Sequence, residues 1–178
     1  MTIDWLVVHP NKRLLVNGVT LFFAERTWYS IVGTAYVQPI KCSESPEQHV
    51  GLKIEIPPEQ RAMINGATLI FRNRTRFIVE GPGSILRNAM IMLPEQAKSP
   101  VERLYFALQT CYMQQEAERK KSLTQLASLM DAAGDSIDES VRQSLVYYIE
   151  RDDLFRALRV LFNVLKRSAI SNTAPALS

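Results

Sequence analysis

Arg13-Leu14-Leu15-Val16-Asn17-Gly18-Val19-Thr20-Leu21-Phe22-Phe23 returns 48 residues later as Arg61-Ala62-Met63-Ile64-Asn65-Gly66-Ala67-Thr68-Leu69-Ile70-Phe71. Each Asn-Gly pair sits between two β-prone apolar runs. Asparagine and glycine both tolerate positive φ, so Asn17-Gly18 and Asn65-Gly66 are read as structural turns, the centres of tight hairpins. The register extends outward without a gap. Pro10 matches Pro58, Arg26-Thr27 matches Arg74-Thr75, Gly33 matches Gly81, and Pro46-Glu47-Gln48 matches Pro94-Glu95-Gln96. A match this long in one register marks an internal repeat, which takes precedence over other fold arguments.

Each copy has the same order of elements. A short β run (Trp5–Val8; Leu52–Ile56) leads through a proline turn to the hairpin, Arg13–Val16 with Val19–Phe23 and Arg61–Ile64 with Ala67–Phe71. A further strand follows, Trp28–Val32 and Arg76–Val79, and then Ala35–Lys41 and Ser84–Met92. Gly81-Pro82-Gly83 interrupts regularity before the last of these, which is read either as strand or as irregular chain.

The periodicity changes at Ser99. Ser99-Pro100-Val101-Glu102 combines an N-cap serine, a proline in the first turn and a glutamate three residues after the cap. Val101, Leu104, Tyr105, Leu108, Cys111 and Tyr112 then share a helical face, continued by Leu123, Leu126, Met130 and Ala133. This is one long helix or two broken near Lys121-Ser122. Ser136-Ile137-Asp138-Glu139 is read as a second capping box, and Asp152-Asp153 as the cap of a last helix ending near Lys166-Arg167. The fold class is therefore α+β: tandem small antiparallel β modules followed by a C-terminal helical hairpin or bundle. The expected boundaries are 1–50 for the first module, 51–98 for the second, 99–168 for the helical region and 169–178 for a flexible tail.

Hydrophobic residues make up 47% and charged residues 22%, ordinary values for a globular chain. No apolar run reaches the roughly 18 residues of a membrane span, and no secretory leader is apparent. Cys42 and Cys111 lie in different regions without metal-ligand spacing and read as reduced thiols of a cytoplasmic protein. The two histidines, His9 and His49, lack partners in any nucleophile or acid–base motif. There is no phosphate-binding glycine loop, and Asp131, Asp135, Asp138 and Glu139 do not have calcium-loop spacing. The reading is a non-enzyme with no metal and no cofactor.

Net charge is only +3, but it is unevenly placed. Lys12, Arg13, Arg26 and Lys41 balance Asp4, Glu25, Glu44 and Glu47 in the first copy. From 61 to 98, Arg61, Arg72, Arg74, Arg76, Arg87 and Lys98 face only Glu80 and Glu95. Arg72, Arg74 and Arg76 alternate with other residues, and period two would put all three on one strand face. With Arg87 they are the candidate RNA-binding residues, since such a face grips phosphates and stacks on bases. A solvated strand guarded against aggregation has the same pattern. Arg119, Lys120 and Lys121 are a candidate interaction surface, although Glu116 and Glu118 beside them also suit a simple solvated helix face.

One further set of residues carries a family likeness. Leu52-Lys53, Met63-Ile64-Asn65-Gly66-Ala67, Leu86-Arg87 with Ile91-Met92, the Ser99-Pro100 helix start, and Arg103-Leu104-Tyr105-Phe106-Ala107-Leu108-Gln109 with Tyr112 resemble the FlbT family of flagellum biosynthesis repressors. The Tyr-Phe-Ala-Leu-Gln run is the most specific element. The resemblance covers about 51–165 and leaves the copy at 1–48 as an addition. It implies a bacterial cytoplasmic regulator that associates with the flagellin mRNA leader and lowers its translation or shortens its life. The alternative it leaves open is a module that binds flagellin or another flagellar assembly factor and affects RNA indirectly. A homo-oligomer is possible in either case.

Overall fold

The structure is a computed structural model that describes residues 4–33, 35–40, 51–114 and 116–173. Cys42, His49 and the Pro46-Glu47-Gln48 end of the repeat lie outside the described residues. The chain divides into two units, Met1–Ile91 and Met92–Ser178.

The described residues of the first unit form ten β-strands and one 3₁₀ segment. The first copy provides β1 (Leu6–Val8), β2 (Lys12–Val16), β3 (Val19–Phe23), β4 (Thr27–Val32) and β5 (Val37–Ile40). The second provides β6 (Leu52–Ile56), β7 (Arg61–Ile64), β8 (Ala67–Phe71), β9 (Thr75–Glu80) and β10 (Ile85–Arg87). Beyond Arg87 the chain turns into a 3₁₀ segment, Asn88–Met90, so of the two readings of Ser84–Met92 the strand holds only for Ile85–Arg87 and the remainder is not strand. The repeat extends to backbone conformation. Asn11 and Glu59 have φ of 57° and 58°, Asn17 and Asn65 have 44° and 42°, and Gly18 and Gly66 have 84° and 81°. Both Asn-Gly turns therefore have the two consecutive left-handed residues that the hairpin reading requires.

The two copies interleave. The first sheet has the order β1-β4-β8-β7-β10, and the second, β5-β2-β3-β9-β6. Exchanging the copies turns one order into the other, so the unit has a pseudo-twofold axis. Each sheet takes three strands from one copy and two from the other, and neither copy builds a sheet of its own. β8 pairs with β4 and β9 pairs with β3, all antiparallel. The two sheets bury one common core, from Leu14, Leu21 and Phe23 to Leu69, Phe71 and Phe77. Phe71 of the first sheet and Phe77 of the second bring their ring centroids to 5.7 Å.

Asn17 and Asn65 meet at the pseudo-axis, where their side chains do more than permit a turn. The Asn17 Nδ2 donates to the Asn65 carbonyl at 2.9 Å, and the Asn65 Nδ2 donates to the Asn17 carbonyl at 3.0 Å. Their Oδ1 atoms accept from the Tyr36 and Ser84 amides, each at 2.8 Å. Asn65→Asp would point a carboxylate oxygen at the Asn17 carbonyl. It is expected to destabilise the first unit by about 1–3 kcal/mol, the cost of leaving a half-buried polar pair unsatisfied. Thermal denaturation followed by tryptophan emission measures it, because Trp5 and Trp28 both belong to this unit.

The second unit is a helical bundle of α1 (Pro100–Met113), α2 (Glu116–Ala133), α3 (Glu139–Glu150) and α4 (Leu154–Thr173). The helix α1 packs on α2 and α4, and α3 packs on α4, around Leu104, Tyr105, Leu108, Leu126, Leu145, Leu158 and Leu161. The expected capping box opens α1. Ser99 Oγ accepts from the Glu102 amide at 3.2 Å, and the Glu102 carboxylate accepts from the Ser99 amide at 2.7 Å. The helical stretch breaks at Gln114, not near Lys121-Ser122. The second expected box is also corrected. Gly134–Ser136 is a 3₁₀ turn, and Asp138 itself caps α3 by accepting from the Val141 amide at 2.9 Å. The Ser140 hydroxyl and that amide hold the Asp138 carboxyl below its usual range, and the Ser99 amide does the same for Glu102. Both contributions are present above the unfolded carboxylate range and fade as pH falls through the lowered folded values. The helix α4 runs to Thr173, so the first part of the expected tail is helical. The remaining residues of that tail, 174–178, lie outside the described residues.

Gln109, the last residue of the Tyr-Phe-Ala-Leu-Gln run, has a structural use. It is buried and grips the backbone of Met92 in both directions, its Oε1 accepting from the amide at 2.8 Å and its Nε2 donating to the carbonyl at 2.9 Å.

Candidate nucleic-acid interface

The four candidate arginines do not form one row. Strand β8 ends at Phe71, so Arg72 and Arg74 belong to the bend before β9. Arg72, Arg74 and Arg76 are all exposed, as expected, but they divide between the two sheets. Arg72 continues the outward row of β8. Its amide donates to the Trp28 carbonyl at 3.0 Å, extending the β4–β8 register, and its guanidinium carbon lies 5.9 Å from the Trp5 ring centre. Arg76 lies on the outward face of the second sheet, opposite Glu55. Glu55 accepts from Arg76 at 2.9 Å and approaches Arg74 at 3.3 Å. The hydrogen bond and charge of Glu55 raise the Arg76 pKa further. Arg87 is exposed at the end of β10, opposite the inward-facing Ala62. The reason is the β-hairpin itself. A strand that ends at residue 71 cannot carry its alternation through a bend and into a neighbour in the other sheet.

The Arg119-Lys120-Lys121 triplet is likewise divided. Arg119 is only 21% exposed and ties α2 to the α3–α4 corner, pairing with Asp152 at 2.9 Å and donating to the Gln114 carbonyl at 3.1 Å. Lys120 pairs with Glu116 one turn back, and Lys121 is exposed. Cys111 is buried in α1, and burial pushes its thiol pKa up, away from a reactive thiolate. His9 is exposed.

The outward face of the second sheet carries ion pairs. Arg13 of β2 passes over the Phe22 ring of β3, 5.5 Å from its centre, and forms a two-point pair with Glu80 of β9 at 2.8 and 3.2 Å. Next to it a groove of about 430 Å³ is lined by Phe22, Ala24, Lys53, Glu55, Arg76 and Ile78, among others. The outward face of the first sheet is different. Trp28 of β4 lies between Val7 of β1 and Arg72, and Arg26 lies over the Trp28 ring at 5.2 Å. Reading the sequence by strand alternation within one copy missed this grouping. Trp5, Trp28 and Arg26 come from the first copy and Arg72 from the second, and only the interleaved pairing joins them.

The family model of flagellar protein FlbT matches residues 52–169, more than half of the chain. The chain belongs to the FlbT family. The FlbT match takes in the second copy of the repeat and nearly all of the helical unit, and it leaves out the first copy. No curated protein and no solved structure matches the chain. Among the described residues no helix of this FlbT-family chain is long and apolar enough to cross a membrane, and no group of His, Cys, Asp and Glu side chains is arranged to hold a metal ion.

Proposed function

We propose that the chain acts in the cytoplasm as a post-transcriptional regulator of flagellin synthesis, associating with the leader of flagellin mRNA to repress translation or promote decay. Membership of a flagellar family supports the pathway. The observation that supports RNA as the target is the exposure of Arg72 and Arg74 at the β8–β9 bend and of Arg76 at the start of β9. Single-stranded RNA suits such a surface because its unstacked bases can lie on a sheet while arginines hold the phosphates. Arg72 and Arg87 form no ion pair among the described residues, so their charge is available to a polyanion.

Replacing Arg72, Arg74 and Arg76 together by alanine is expected to weaken binding of a flagellin leader transcript by about tenfold or more. The slope of log affinity against log salt should become shallower, by about 0.7 for each phosphate that is no longer neutralised. A fluorescence-anisotropy titration over a range of salt concentrations measures both. Unchanged affinity and slope would remove the arginine cluster from the interface.

The helical unit favours a second reading, contact with a flagellar protein such as flagellin. Val146, Tyr147 and Phe155 are 38%, 50% and 37% exposed, Phe155 stacks near Tyr112, and Arg151 covers Tyr147 at 3.8 Å. Aromatic and arginine side chains of this kind are enriched at protein interfaces. Capture of purified flagellin in the absence of RNA, abolished by Tyr147→Asp, would support it.

A further inference from the structure

We propose that the outward face of the first sheet is a stacking platform for single-stranded RNA, with Trp5 and Trp28 receiving bases and Arg26, Arg61 and Arg72 holding phosphates. The proposal rests on the RNA reading above and locates it on one face of the molecule. Both tryptophans of the chain are on this face. Each is half-buried and carries an arginine at its ring, Arg72 at 5.9 Å from Trp5 and Arg26 at 5.2 Å from Trp28. The register places them as neighbours. Val7, Trp28 and Arg72 lie side by side across β1, β4 and the end of β8, and Arg61 on β7 is opposite Ile70 of β8, on the same side. Aromatic rings accept bases of any sequence, and adjacent guanidinium groups add charge and further stacking.

The repeat supplies an internal comparison. The pseudo-twofold axis relates Trp5, Trp28, Arg72 and Arg26 to Lys53, Arg76, Ala24 and Arg74 on the second sheet. It also relates Val7 to Glu55 and Val32 to Glu80. The two carboxylates that neutralise arginines on the second face are thus valines on the first. None of the outward positions of β1, β4, β7 and β8 carries an acid, and Arg26, Arg61 and Arg72 form no ion pair among the described residues. One face is tied up in salt bridges. The other combines cationic charge with aromatic rings, the combination that suits single-stranded nucleic acid.

The intrinsic emission of the full chain reports on this face, because no other tryptophan is present. Titration with a flagellin leader transcript, and with a short unstructured RNA, is expected to quench it. Val7→Glu places on this face the carboxylate that Glu55 supplies to the other, and Arg72→Ala removes an exposed cation. Each should weaken binding about tenfold with an unchanged melting temperature, and Trp28→Ala by at least as much. Glu55→Gln, and Arg74→Ala with Arg76→Ala on the opposite face, should leave the affinity within about twofold. If the transcript binds but the emission does not change, or the loss lies in Arg74 and Arg76, the platform is refuted and the RNA reading stands. If no RNA binds the wild-type chain, both fall.

Discussion

Phe71→Ala is expected to remove about 3–5 kcal/mol from the stability of the β unit. The ring is fully buried in the first sheet, and it touches Phe77, which also touches Phe23 at 5.5 Å within the second sheet. The loss therefore combines the transfer of a large apolar side chain with a cavity on the plane where the two sheets meet. Neighbours anchored in two sheets of five strands have little freedom to collapse into that cavity. A small domain has only about 5–15 kcal/mol in total, so the variant should begin to unfold at markedly lower denaturant concentration. Phe71→Leu keeps most of the volume and should cost less than about 1.5 kcal/mol. Urea unfolding followed by tryptophan emission separates this unit from the helical one. A loss below about 1.5 kcal/mol for the alanine variant would mean that the two sheets do not share a core.

The local structure of the β unit was legible because it is written in turn chemistry. Asn-Gly at 17–18 and 65–66 specifies two consecutive left-handed residues, and the alternation on either side gives β7 and β8 their boundaries to the residue. What alternation does not encode is the partner of each strand. Thr75–Glu80 follows Ala67–Phe71 through a short bend, which by local reasoning makes them adjacent strands of one sheet. The chain instead crosses to the other sheet at Arg72–Arg74, and the arginine row breaks there. The signal available in the sequence was the repeat itself, because a duplicated segment has as its natural partner its own copy. Trp28 stands at the repeat position of Arg76, and Val7 at that of Glu55. Placed across the pseudo-axis, they are a second face with its own chemistry. The helical caps differ for a simpler reason. Ser136 and Asp138 both suit an N-cap, and pattern alone cannot rank two adjacent caps when a 3₁₀ turn takes one of them.

A chain lacking residues 1–50 is expected to fold only as a dimer. The family match begins at 52, so a FlbT unit without the first copy corresponds to this fragment. In the full chain β8 is flanked by β4 and β9 by β3, and both partners belong to the first copy. Their removal leaves β7, β8 and β10 in one piece and β6 with β9 in another. Each piece has an open edge, and Leu69, Phe71, Phe77 and Val79 lose the other half of their core. Unpaired hydrogen-bonding edges over bare apolar surface do not persist in water. A second fragment supplies what is missing, because β9 is the repeat equivalent of β4 and β8 that of β3. Two fragments can thus pair β8 with β9 reciprocally about a true twofold axis. Asn65 would then meet Asn65 of the other fragment in the bonds that Asn17 and Asn65 make here at 2.9 and 3.0 Å. Light scattering after size exclusion should give twice the fragment mass, and the melting temperature should rise with fragment concentration, as dissociation and unfolding are one event. A monomeric fragment with a cooperative, concentration-independent transition would show that the second copy closes on itself, and the interleaved order of strands would then be wrong.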